Sequence, residues 1–247
     1  AVGGTAGVLD MLCFRFVEEV YTAPPRQMKL GKTMKAVFSN KPFMRLLLMW
    51  TVWCFTTNLV APYLIPYARN VMGLSFTQIM IFGTLSGSIA TIAIMPWWGK
   101  VLDRHGPRRV MLLAFAGAPL SASFYLLARP GSVLPVFLHN FVGALFWSGT
   151  NLSATTLQLS CSPDDIRSAH IAVFSSVTAL VGTAFGALTG GALLEICAAN
   201  QWFSGAFDRY KVLVLLAVIL RFSTALLLVP RLQDGYADQV QGRTSST

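Results

Sequence analysis

The chain has 247 residues, of which 54% are apolar and 12% charged, with 19 Lys and Arg against 10 Asp and Glu. Soluble domains carry roughly 25% charged residues, so there is too little charge here to cover a soluble surface, and the mean hydropathy of +0.59 agrees. Disorder, collagen, coiled coil and disulfide scaffold are excluded by the same figures. A bilayer crossing takes ~20 apolar residues, and about 133 of them would fill about six crossings.

Taken in chain order, residues 1–17 read as the last turns of a preceding transmembrane helix, since they are apolar but too short to span. Residues 18–42 form a basic, cytoplasmic linker. Within it Met28, Met34, Val37 and Phe38 loosely oppose Lys29, Lys32 and Lys35, as in a helix lying on a membrane surface. The competing reading is an unstructured basic loop. Residues 43–232 are expected to form a six-helix transmembrane domain, with spans at about 44–67, 76–98, 109–128, 133–160, 166–194 and 211–230, and 233–247 a cytoplasmic tail. Ser75 followed by Gln78 is a capping box that starts the second span near Phe76. Strands are disfavoured, because transmembrane strands show short alternating segments and these runs are apolar all round.

Charge placement gives the orientation. Arg15, Arg26, Lys29, Lys32, Lys35, Lys41, Arg45, Lys100, Arg104, Arg108, Arg109, Arg167, Arg231 and Arg243 fall on one side, against Arg69, Arg129, Arg209 and Lys211 on the other. That bias puts both ends of the six-helix unit in the cytoplasm. It also accounts for the net charge of +9 as a topology signal, so no nucleic-acid partner is expected. Cys13, Cys54, Cys161 and Cys197 are dispersed, without Cys/His spacing, and read as packed thiols; no metal and no cofactor is expected. The sequon Asn151-Leu152-Ser153 lies inside the fourth span and is read as chance.

The loop after the second span reads Gly99-Lys100-Val101-Leu102-Asp103-Arg104-His105-Gly106-Pro107-Arg108-Arg109. Gly99 would let the helix end approach a neighbour and Gly106 supplies a turn conformation. Asp103 is expected to pair with Arg104 or Arg108, or to cap a helix N-terminus. This stretch resembles the loop signature G-x-L-A-D-[RK]-x-G-[RK]-[RK] of the major facilitator superfamily. Gly99, Asp103, Arg104, Gly106 and Arg108 match; Val101, Leu102 and Pro107 depart from it, as in the weaker copy of a C-terminal half. Before the fifth span, Ser162-Pro163-Asp164-Asp165 reads as a helix start with Ser162 as N-cap. With Arg167 it is similar to the P-x-x-x-R segment of that family. Gly182, Gly186 and Gly190 (with Gly191 beside them), and Gly83 and Gly87, have the spacing of close helix packing in lipid.

The resemblance implies an all-α membrane protein: the C-terminal six-helix half of a twelve-helix transporter. Its partners would be membrane lipid, a small-molecule substrate and an N-terminal six-helix half of the same chain. It further implies secondary active transport by alternating access, in a bacterial inner (plasma) membrane, with substrate near the midplane between two halves. In such a half the first and fourth spans line the cavity, so Trp53, Asn58, Trp147 and Asn151 are the substrate candidates. Trp50, His139, Asn140 and Gln158 are further polar or aromatic groups at membrane depth, and interhelical bonding is the competing role for each. Trp97 and Trp98 read as interfacial and His139 as close to the outer interface. Arg221 is expected to snorkel or to pair with a buried partner in the other half, although the resemblance implies a sixth helix that faces away from the cavity. Rival readings are a scaffold or sensor without turnover and, more remotely, a membrane-embedded enzyme. HExxH, GxSxG and paired intramembrane carboxylates are all absent from the sequence.

Overall fold

The computed structural model describes residues 30–200 and 208–232. The terminal helix expected at 1–17, most of the linker and the tail at 233–247 lie outside the described residues. Among the described residues the fold is helical without strands. Four helical stretches are long and apolar enough to cross a membrane: Lys41–Asn70, Phe76–Leu127, Asp164–Ala199 and Arg209–Arg231.

Helix α1 (Leu30–Ser39) buries Val37 but leaves Phe38 exposed beside Lys32 and Lys35, so Phe38 is not on its packed face. Asn40 then ends α1 and starts α2 (Lys41–Asn58). Its Oδ1 accepts from the Phe43 N–H at 3.2 Å, with Pro42 in the first turn. The Asn40 amide donates to the Cys161 carbonyl at 2.7 Å and lies 3.3 Å from His170 Nε2, tying this end of the span to two others. After α2 the span breaks at Leu59–Val60 and resumes as α3 (Ala61–Asn70), with Pro62 in its first turn. A proline has no N–H to give the carbonyl four residues back, so the break leaves carbonyls in the middle of the span short of partners.

Ser75 and Gln78 form the reciprocal box at the next helix start: Gln78 N–H to Ser75 Oγ at 3.2 Å and Ser75 N–H to Gln78 Oε1 at 2.8 Å. Helix α4 (Phe76–Ile79) leads through a π-turn over Met80–Leu85 into α5 (Ser86–Ser123) and a 3-10 turn at Phe124–Leu127. At 1.5 Å per residue this 52-residue stretch would be about 78 Å long, over twice the hydrocarbon thickness. It is two helices parted at Gly106, whose φ of 76° and ψ of 162° no helix contains. A side chain there would meet the left-handed penalty, which is why glycine stands before Pro107.

Helix α6 (Leu134–Ser160) is 27 residues long but is not among the four most apolar stretches, because it carries His139, Asn140, Asn151 and a run of Ser and Thr. Most of these hydroxyls donate to a carbonyl one turn back, as Ser148, Thr150, Ser153 and Thr156 do, so they cost little in an apolar setting. A 3-10 turn (Asp164–Ile166) opens α7 (Arg167–Val177), which passes through a π-turn at Thr178–Ala184 into α8 (Phe185–Ala199). Arg167 pairs with Asp164. Ser162 is not the N-cap here: its hydroxyl donates to Gln158 O at 2.6 Å, closing the helix before it, and Pro163 occupies the cap position. Helix α9 (Arg209–Leu227) is capped by Asp208, which accepts from the Lys211 N–H at 3.0 Å.

The two larger apolar cores among the described residues stack along the bundle. One, around Phe43, Trp53, Phe115, Leu157 and Val229, sits toward the Gly106 end; the other, around Tyr67, Tyr125, Leu213 and Val214, sits toward the Arg129 end. Small residues let α8 touch α2 backbone to backbone. A Cβ on Gly182 would lie 2.7 Å from Cys54 Cβ, one on Gly186 2.6 Å from the Phe55 carbonyl, and one on Gly190 would overlap the Leu59 carbonyl. Gly83 and Gly87 pack less tightly against Asn140 on α6, their would-be Cβ atoms 3.2 Å from its side-chain amide nitrogen and 3.4 Å from its carbonyl oxygen. Gly99 is different: nothing lies within 4 Å of its would-be Cβ, so no close approach involves it among the described residues. Trp98 is buried rather than interfacial, with its Nε1 donating to Leu145 O at 2.6 Å, while Trp97 is exposed.

Because backbone cannot retreat as a side chain can, Gly186→Val and Gly190→Val should each lower the stability of the detergent-solubilised protein by about 1–3 kcal/mol, the cost of overpacking. Gly31→Ala, inside α1 and with nothing within 4 Å, should not lower the thermal midpoint and should raise it slightly, as a helical Gly→Ala change does.

Candidate functional site

Where the first span breaks, a pocket of about 570 Å³ opens in the side of the bundle. The α2–α3 junction supplies Thr57, Ala61 and Leu64. The stretch through the first π-turn supplies Thr84, Gly87, Ser88, Thr91 and Ile92, the far half of α5 Ala118 and Ser121, α6 His139, Asn140 and Trp147, and α9 Arg221. The volume is that of a small-molecule site. Glycines make room for it: Gly87 and Gly143 are both in its wall.

Arg221 is the central group. It is 5% exposed, and its Nη2 donates to the Thr57 carbonyl at 3.2 Å. That carbonyl is one of those loosened by the break; its other contact is a long one, 3.4 Å from the Val60 N–H. Arg221 Nε and Thr57 Oγ1 are buried without hydrogen-bond partners among the described residues. His139 lies on the same wall, with Nδ1 3.0 Å from the Ser121 carbonyl and its ring edge-on to Tyr125 at 5.0 Å. A carbonyl only accepts, so the proton of that contact sits on Nδ1. His139 thus turns its ring into the bundle, within two turns of the start of α6 at Leu134. Asn140 is occupied by its own helix, donating to Val136 O at 2.9 Å.

The structure separates the four sequence candidates. Trp147 lines the pocket, while Trp53 lies behind it, fully buried, with its ring 6.0 Å from Trp147 and 3.9 Å from Phe115. Asn58 is not in the wall, and its amide donates to Cys54 O at 2.9 Å one turn back. Asn151 is exposed and also outside the wall. A four-residue step turns a helix by about 40° beyond a full circle and lifts it ~6 Å, which carries Asn151 past the pocket that Trp147 borders. Arg221, set aside in the sequence reading, is the residue that the pocket brings to the front. The signal was present: one basic residue in an 18-residue apolar run.

The motif loop lies elsewhere. Asp103, Arg104 and Arg109 are exposed, and Asp103 makes no ion pair or hydrogen bond among the described residues, so the expected pairing with Arg104 or Arg108 is not formed. Arg108 instead donates from Nη2 to Pro230 O at 2.6 Å, joining the loop to the end of α9. A further opening of about 840 Å³, lined by Tyr67, Arg129, Asp208 and Lys211 among others, contains none of the sequence candidates. The free cysteines Cys54, Cys161 and Cys197 lie apart, and no metal-binding group is present among the described residues.

Burial distinguishes the two stacked tryptophans in a way that fluorescence reads. In variants retaining a single tryptophan, acrylamide should quench Trp147 at least twice as strongly as Trp53, measured by Stern–Volmer slopes.

In comparison with known proteins, the family model described as Major Facilitator Superfamily matches residues 1–187. No curated protein and no solved structure matches the chain.

Proposed function

The chain belongs to the Major Facilitator Superfamily, and we propose that it carries out secondary active transport of a small solute by alternating access. It is an integral membrane transporter, so its surroundings are lipid and its substrate is a small molecule. In the reading proposed here, residues 43–232 are the C-terminal six-helix half, working against an N-terminal half of the same chain. Both ends of the unit face the cytoplasm of a bacterial inner membrane, as the basic loops favour. The observation that carries the reading is the open, partly polar pocket set at membrane depth between two apolar cores. Irregular backbone at that depth is tolerated only where it is buried in protein or lines a water-filled cavity, and the break at Leu59–Val60 borders the pocket. Trp147 is the aromatic surface of this cavity; Trp53, Asn58 and Asn151 support the helices around it.

In the same reading the glycine contacts between α8 and α2, and between the α4–α5 stretch and α6, are the surfaces along which helices slide as the halves rock. Gly99, Asp103, Arg104, Gly106, Arg108 and Arg109 form the cytoplasmic gating loop. Asp103 and Gly99, with no close partners among the described residues, are the positions offered to the other half.

The test uses Ser88, an exposed residue of the pocket wall, as a single cysteine in an otherwise cysteine-free full-length protein. A membrane-impermeant thiol reagent should label it from the outside in right-side-out vesicles and from the inside in inverted ones. A cysteine at lipid-facing Ile219 should stay unlabelled from both. Labelling of Ser88→Cys from one face alone would contradict alternating access at this pocket.

A further inference from the structure

Among the described residues the pocket contains a cation and no anion. Arg221 stands twelve residues into α9, about 18 Å from its start. Side chains on a helix lean toward its N-terminus, so the guanidinium is carried deeper into the bundle and away from the nearer helix end at Leu227. It does not snorkel. The described acidic residues are Asp103, Asp164, Asp165, Glu195 and Asp208, and none of them lines the pocket. The compensation in sight is the C-terminal end of α2, reached through the Thr57 carbonyl. A helix terminus supplies roughly half an elementary charge, so the guanidinium is only partly compensated from within the bundle. Nε is buried without a partner, Nη2 is committed to Thr57, and Nη1 makes no hydrogen bond among the described residues. Buried cations persist when something pairs them.

We infer that the transported solute is an organic anion whose carboxylate, or group of like charge, is bound by Arg221, with its apolar body lying along Trp147. The inference rests on the transport reading above and narrows it to a substrate class. The family match ends at residue 187, so Arg221 lies beyond it, and the assignment comes from the pocket alone. A guanidinium offers paired N–H donors to a carboxylate. The indole of Trp147, backed by the stacked ring of Trp53, offers an aromatic wall, and Ile92, Ala118 and Ala144 add apolar surface among the hydroxyls of Thr84, Ser88 and Thr91. A neutral solute would leave the charge unpaired, and a cationic one would double it.

The test is a charge series on one body: benzoate, benzamide and benzylammonium, titrated calorimetrically into the full-length protein in detergent. Benzoate should bind at one site per protein, with benzamide and benzylammonium at least ten-fold weaker. Arg221→Gln should weaken benzoate at least ten-fold, and Arg221→Lys, which keeps the charge, should weaken it less. If Arg221→Gln fails to fold, the charge series on the wild type and the lysine variant decide. Benzylammonium binding as tightly as benzoate, or benzoate binding unchanged by Arg221→Gln, would overturn the inference. So would a wild type that takes no benzoate because a carboxylate from the rest of the protein already holds the guanidinium. Counterflow of the same three compounds in proteoliposomes separates the two claims. Benzoate bound through Arg221 but never exchanged would remove the transport reading and keep the anion site. Benzamide exchanged equally by wild type and Arg221→Gln would keep transport and remove the anion site.

Discussion

Inside hydrocarbon, every backbone carbonyl and every charge has to find its partner within the protein. This bundle meets that demand almost everywhere by local means: helical bonding, hydroxyls folded back on the preceding turn, and amides such as Asn58 and Asn140 that return to their own helix. At the break between α2 and α3 the local solution runs out, and the Thr57 carbonyl keeps only a long contact of 3.4 Å to the Val60 N–H. The partner comes from another helix altogether, as Arg221 of α9 reaches the Thr57 carbonyl. One contact thereby answers two needs, a loosened carbonyl and a buried cation, and answers each only in part.

Much of the bundle's architecture follows from keeping that junction open. A conventional core would fill the space beside a broken helix. Here the apolar packing divides into clusters above and below, anchored by Trp53 with Phe115 on one side and Tyr67 with Tyr125 on the other. Glycines on neighbouring helices draw the surrounding backbones together, so the walls are held by tight contacts that add no side chains to the chamber. Both π-turns, at Met80–Leu85 and Thr178–Ala184, contain one of these glycines. Such bulges often accompany functional sites, and here they occur where a helix has to pass unusually close to its neighbour.

The fold was more legible in the sequence than the site. Apolar runs, the Ser75–Gln78 box, the turn at Gly106 and the glycine spacings are each set by a few neighbouring residues, and their geometry is local. The site depends on direction, which spacing within one helix does not convey. Trp147 and Asn151 are one turn apart, yet only one meets the pocket, because a helix tilted in a bundle presents each turn to a different neighbour. Trp98 reads as a belt residue until Leu145 on another helix accepts its N–H. Ser162 reads as a cap for the helix ahead until Gln158 behind it takes the hydroxyl. Arg221 was misplaced for the same reason: its partner is 164 positions away along the chain.

The central claim is that the break and the arginine together form a solute site. The measurement that addresses it most directly is a structure of the full-length protein with 4-bromobenzoate, whose halogen marks the ring by anomalous scattering. The account predicts a carboxylate within about 2.7–2.9 Å of an Arg221 nitrogen, the range of charge-assisted bonds, and a brominated ring against Trp147. A protein carboxylate seated on Arg221, with the ligand elsewhere or absent, would contradict it.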